Sequence, residues 1–149
     1  MSESKMADDE QFLRSLPVVD VTAVDISPNP AALTDELNLE VDFHLSKPVV
    51  DGVWDIEYLV DSVAKRHIIN ILLILGQVEA TDYAKGENHF QFTASDINIA
   101  GIEPSQFTNC GLLIASFKGR EGEIMDLKMV IQVTEQRGAL QRIIYNPLE

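Results

Sequence analysis

Residues 110–133 read CGLLIASFKGREGEIMDLKMVIQV, two apolar runs joined by a charged turn that contains glycine, which is the signature of a β-hairpin. In the second run Met125, Leu127, Met129, Ile131 and Val133 recur at a period of two, with Asp126, Lys128 and Gln132 between them. One face of that strand therefore meets a core and the other meets solvent. The first run differs. Leu113, Ala115 and Phe117 take the inward positions, yet Leu112 and Ile114 on the opposite side are apolar as well. A strand that is apolar on both sides needs two covers, and the second comes either from the chain's own tail or from another protein.

The same periodicity recurs upstream. Leu37, Leu39, Val41, Phe43 and Leu45 alternate with Asn38, Glu40, Asp42 and His44 without exception, a half-buried strand. Before it, Val19, Val21 and Ala23 alternate with Asp20 and Thr22 up to a Ser27-Pro28-Asn29-Pro30 turn. After it, Pro48 and Asp51-Gly52 introduce 53–60, where Trp54, Ile56 and Tyr58 share a side; this strand is expected to pair with the preceding one as a second hairpin. The pattern then predicts a polar connection over 61–67, a strand apolar on both faces over 68–78, a loop over 81–88 and a short strand over 89–94. Pro104 marks one helical turn at 103–106, and Leu140, Ile143 and Ile144 stand at helical spacing before Asn146-Pro147. About seven or more short strands with one or two short helical turns predict an all-β sandwich.

With 149 residues, 46% of them hydrophobic, the chain supports one domain, placed at 17–149. Residues 1–16 read as a flexible acidic leader: Glu3, Asp8, Asp9 and Glu10 outweigh Lys5 and Arg14, with Phe12, Leu13 and Leu16 as apolar anchors. The single Cys110 precludes an internal disulfide, and the polar amino terminus lacks the pattern of a secretory signal, so a reducing compartment, nucleus or cytoplasm, is expected. The longest apolar run, 68–75, is interrupted by Asn70 and falls well short of the ~20 residues that cross a bilayer. A net charge of −13 repels nucleic acid and anionic lipid and draws in basic proteins.

Catalytic chemistry finds no foothold. His44, His67 and His89 stand on separate elements without metal-ligand spacing, and Cys110 has no motif that would activate it. The loop 118–123 holds Gly119 and Gly122 but joins strand to strand, without the helix start that holds phosphate. Carboxylates mostly alternate outward along strands. No catalytic residue, metal or cofactor is expected, and the chain reads as a binding protein and not an enzyme.

Several stretches, taken in order, resemble the anti-silencing-function family of histone chaperones. Trp54-Asp55-Ile56-Glu57-Tyr58 is similar to that family's Trp-x-Ile-x-Tyr strand, and GENHFQFTASDIN at 86–98 repeats its spacing of Gly, two Phe, Ala and Asn. Glu103-Pro104, Gly111 with its following strand, Lys118-Gly119, and Leu140-Gln141-Arg142 followed by Ile144 and Asn146-Pro147 fall in the family's order. The resemblance covers about 18–148. It implies an immunoglobulin-like β-sandwich, monomeric by itself, acting as a histone chaperone without catalysis. In the family the outer face of the Gly-led strand packs on the last helix of one core histone, and the partner histone's carboxyl-terminal strand adds to the sheet.

On that pattern the central apolar contact is Ile114, with Leu112 and Val130 beside it, and Asp126 and the acidic surface attract the basic client. Asp51 matches an acidic residue that the family uses at a second partner site. The charged histone contacts differ: the family's aspartate before the Gly-led strand is Phe107 or Thr108 here, a later acidic position falls near His67, and two arginines are replaced by Asp126 and Leu148. These differences imply an alternative, the same fold serving as adaptor or scaffold for a non-histone protein in the cytoplasm or cilium.

Overall fold

The computed structural model describes residues 16–64, 67–108 and 110–149, with the backbone alone at 61–64 and 67–69. All of the acidic leader except Leu16 lies outside the described residues. The strands are β1 (Val19–Ser27), β2 (Ala31–Ala32), β3 (Leu37–Leu45), β4 (Val49–Ala64), β5 (His67–Tyr83), β6 (Gly86–Ala94), β7 (Cys110–Gly119), β8 (Gly122–Gln136) and β9 (Ala139–Ile144). A single 3-10 turn, Pro104–Phe107, begins at the proline marked in the sequence.

Every pairing is antiparallel. One sheet has the order β1-β3-β6, the other β2-β9-β8-β7-β4-β5, and the two pack face to face as an immunoglobulin-like β-sandwich. The core lies between them and follows from the alternation. Leu37, Leu39, Val41, Phe43 and Leu45 of β3, Trp54, Ile56, Tyr58 and Val60 of β4, and Leu113, Ala115 and Phe117 of β7 are all fully buried. At its centre the Trp54 indole stacks on Phe117 with centroids 4.4 Å apart, and Phe43 meets Trp54 edge-on at 5.3 Å. Such ring pairs contribute about 0.5–1.5 kcal/mol each beyond the area they bury.

Four local expectations are corrected. The strands β3 and β4 do not form a hairpin: β3 pairs with β1 and β6, whereas β4 pairs with β5 and β7. Both strands carry a fully apolar face, and those faces are satisfied by stacking across the sandwich, which puts the two strands in different layers. The segment 61–67 is not a polar connection, because β4 runs on to Ala64 and β5 resumes at His67, making one long hairpin. The loop at 81–88 shrinks to the turn between Tyr83 and Gly86, since Tyr83 faces inward and holds β5 in register. The helical spacing at the carboxyl end is a strand, β9, paired with β8 from Ile131↔Ile144 to Gln136↔Ala139.

Arg142 explains that last difference. It occupies an inward position of β9, is 0% exposed, and donates from Nη1 to the carbonyls of Leu33 (3.0 Å) and Asp35 (2.9 Å) and from Nη2 to that of Glu36 (2.6 Å). An arginine in the inward register hides the alternation from any pattern built on hydrophobicity. Burial lowers its pKa from the ordinary value, opposed by the charge of Asp35 and by Tyr58. The three carbonyl dipoles hold the guanidinium and fasten β9 to the approach to β3.

Candidate partner-binding face

The inner face of the larger sheet is consumed by the core, so the remaining chemistry is on its outer face. The strand register sets out that face in rows. Leu112 of β7 lies between Val130 of β8 and Leu59 of β4, and Leu59 lies opposite Leu72 of β5. On the other side the Tyr145 amide donates to the Val130 carbonyl at 2.9 Å, and its hydroxyl donates to Gln132 Oε1 at 2.7 Å, which places the ring beside Val130. Tyr145, Val130, Leu112, Leu59 and Leu72 thus form an apolar row from beyond β9 to β5, about 19 Å long at the usual strand spacing of ~4.8 Å. Leu72, Val130 and Tyr145 are 52%, 43% and 48% exposed, while Leu59 and Leu112 are half-buried among their neighbours.

The next row reads Lys128, Ile114, Glu57 and Ile74, with Ile74 77% exposed. The row beyond reads Asp126, Ser116, Asp55 and Gln77. There Asp55 accepts from Gln77 Nε2 at 2.6 Å and pairs with Lys118 Nζ at 3.2 Å. The hydrogen bond to Asp55 and its charge hold the Lys118 ammonium above its ordinary pKa. The face therefore grades from apolar to acidic along the strands.

The tail meets this face at Tyr145, which bonds to Val130 and Gln132. After β9 the chain turns to the other sheet, where Asn146 Nδ2 donates to the Val24 carbonyl of β1 at 2.8 Å. Leu112 and Ile114 are half-buried.

Of the residues singled out in the sequence, Leu112, Ile114, Val130 and Asp126 fall on this one face. Thr108 stands just before β7, half-buried, its Oγ1 donating to the Ser105 carbonyl at 2.8 Å, whereas Phe107 is 0% exposed in the core. Only Thr108 of that pair can meet a partner. Asp51 is remote. Opposition of Val53 to Lys118 places it at the other end of β4, about 26 Å along the strand from Leu59 at ~3.3 Å per residue. Its Oδ2 is already engaged by Arg120, with Nη2 at 2.8 Å and Nε at 3.0 Å. The side chain of His67 lies outside the description. His89 pairs with Asp42 on the smaller sheet, and among the described residues no cluster could hold a metal ion.

The sequence pattern missed Leu59, Leu72, Ile74 and Tyr145. The signal for Leu59 was present: with Trp54, Ile56 and Tyr58 inward, Leu59 must point outward. Leu72 and Ile74 follow from the run at 68–75 being apolar on both faces. Tyr145 could not be placed without knowing that its neighbours form a strand.

The sheet's edges differ. Ile144 of β9 has its amide bonded to Asn29 Oδ1 (3.0 Å) and its carbonyl to Asn29 Nδ2 (2.8 Å), and β2 covers Gln141 and Arg142, so this edge is closed over those residues. At the other edge β5 has β4 on one side and no further strand among the described residues.

No helix among the described residues is long and apolar enough to cross a membrane. No curated protein matches the chain. Among solved structures, Spo0M, the sporulation control protein from Bacillus subtilis, is similar over 78% of this chain and 47% of that one, at 10% identity and a TM-score of 0.47. The chain spans about half of that protein's length, and a likeness this distant carries no argument. The family described as ASF1 like histone chaperone matches residues 16–142, which takes in the Trp54 strand, the Gly111-led strand and the Leu140-Gln141-Arg142 element together. A match of that extent, over a chain folded as a two-sheet sandwich, identifies it as a member of the ASF1-like histone chaperone family.

Proposed function

We propose that this protein binds core histones through the outer face of its larger sheet and shields their apolar and basic surface until hand-off, without catalysis. The observation that carries this is the apolar row from Tyr145 to Leu72, whose members Tyr145, Val130 and Leu72 are exposed. A row about 19 Å long laid across strands suits an amphipathic helix of roughly three to four turns, presenting residues at i, i+3, i+4 and i+7. Ile114 and Leu112 supply the desolvated centre, with Leu59 and Val130 around them. Asp126, Asp55 and Glu57 lie on the acidic side, where basic residues flanking such a helix would lie, and the net charge of −13 speeds the approach of a basic client. The site of action is the nucleus or cytoplasm.

Gel filtration with refolded core-histone heterodimer at ~0.15 M salt, near physiological ionic strength, tests this. Co-elution is expected, and two separate peaks would refute it. A second reading, an adaptor for a non-histone protein, is favoured by Asp126 standing where the family has an arginine, Thr108 where it has an aspartate, and Asp51 already paired with Arg120. Affinity capture in which Ile114→Arg loses a non-histone protein while histones never appear would choose it.

A further inference from the structure

An exposed strand edge invites pairing with another chain unless charge, proline or a bulge blunts it. The edges of the smaller sheet are blunted by charge: β1 carries Asp20 and Asp25, and β6 carries Glu87. The β5 edge of the larger sheet differs. Residues 70–78 read NILLILGQV, without a charge or a proline, and a bulge stands only at Leu75, between the Glu57↔Ile74 and Ile56↔Gly76 pairs. Asn70–Ile74 is therefore a regular strand, and its outward backbone N–H and C=O groups have no strand to bond among the described residues. Its side chains are short of cover as well. Leu72 and Ile74 are 52% and 77% exposed on the outer side, and Ile71 and Leu73 on the inner side are only half-buried.

We propose that β5 pairs antiparallel with β5 of a second copy, about a two-fold axis at Leu72, so that two larger sheets become one. A two-fold contact sets a surface against itself, so it needs a stretch that does not repel its own image. The net charge of −13 opposes contact between copies over most of the surface, and 70–78 is free of it. A basic client, by contrast, is drawn to carboxylates, which this stretch does not offer. About that axis Leu72 meets Leu72 of the second copy on the outer side, Ile71 meets its Leu73 on the inner side, and Asn70 meets its Ile74. Glu57, on β4 beside Ile74, stands three strand spacings from Glu57 of the second copy, at least about 14 Å at ~4.8 Å each. That exceeds the ~8 Å screening length at physiological salt. Glu79 lies beyond the paired stretch. The pairing departs from the monomer that the resemblance implies, and it does not depend on what the outer face binds.

Sedimentation equilibrium of the full chain without any histone, from about 1 to about 100 μM, tests it; the micromolar range suits a contact confined to one strand edge. Wild type is expected to pass from one copy to two over that range. Leu72→Lys and Leu72→Glu change an exposed position, so each is expected to melt within about 3 °C of wild type. Each is expected to weaken self-association by about tenfold or more, because like charges meet on the axis, and an equimolar mixture of the two is expected to recover it. Hydrogen exchange of wild type is expected to slow at 70–74 as concentration rises. A wild type that stays monomeric at about 100 μM overturns the proposal and leaves the edge to a strand of another protein. Variants that associate like wild type overturn it too, as does a mixture that fails to associate. Protection at 70–74 that is the same at every concentration also overturns it, assigning the edge to another segment of the same chain.

Discussion

Adjacent residues on β7 have opposite roles, and paired substitutions separate them. Ile114 points outward between Lys128 and Glu57, half-buried, whereas Leu113 points inward and is 0% exposed. In Ile114→Arg the new stem lies along the apolar row and its guanidinium reaches toward Glu57 or Asp126, so folding stability changes by less than about 1 kcal/mol. In a complex the same charge sits at the desolvated centre without a partner, at a cost of about 3–5 kcal/mol, a loss of roughly a hundred- to a few-thousand-fold in affinity. Leu113→Ala does the reverse: it leaves a cavity worth about 2–5 kcal/mol, which lowers the melting temperature by roughly 5–15 °C, and it leaves binding intact below the melt. Calorimetric melts and titration of each variant with the histone heterodimer decide the matter. An Ile114→Arg protein that melts like Leu113→Ala would place Ile114 in the core. One that binds within about threefold of wild type would remove the outer face from the docking site.

Further expectations concern the scaffold. Gly111→Ala would put a Cβ 2.7 Å from the Leu59 carbonyl oxygen and 2.9 Å from the Tyr58 ring, so β4 and β7 must separate, at about 1–3 kcal/mol by urea denaturation. Arg142→Met strands the carbonyls of Leu33, Asp35 and Glu36 and is expected to cost about 3–5 kcal/mol, seen as an earlier urea midpoint; an unchanged midpoint would show that water replaces the guanidinium without loss. Burial raises the pKa of Tyr58, Arg142 opposing, so the folded protein holds that proton more tightly than the unfolded chain. Its contribution is complete below pH ~10 and falls by roughly 1.4 kcal/mol per unit above it. Tyr58→Phe should flatten that alkaline slope without abolishing it, since burial raises Tyr83 as well; an unchanged slope would mean that the Tyr58 hydroxyl meets solvent.

Alternation made β3 and β8 legible from the residues alone, because each places a polar boundary where the burial boundary lies. It could not tell which strands share a sheet. The turn between β3 and β4 has hairpin chemistry, yet two wholly apolar faces gain more by opposing each other across a core than by lying side by side. Polarity also misled at 61–67, where the sequence has too few apolar residues to mark a strand, and at β9, where the inward residue is Arg142. The candidate face was half visible: Leu112 and Ile114 were conspicuous as apolar residues on the wrong side. Leu59, Leu72 and Tyr145 complete it only once the register aligns them.

Because Leu112, Leu113 and Ile114 are all apolar, polarity does not tell that part of β7 which way up to lie. A shift of one position would trade Leu113 for Leu112 or Ile114, one oil for another, a slip that β3 could never make with Asp42 and Glu40 in line. Shape has to do the indexing. The bare α-carbon at Gly111, against which Leu59 and Tyr58 close, admits no other residue of the strand, and the Phe117 ring fits flat on Trp54 in one setting only. The outward display of Leu112 and Ile114 is thus keyed by a notch at one end of the strand and a plate at the other.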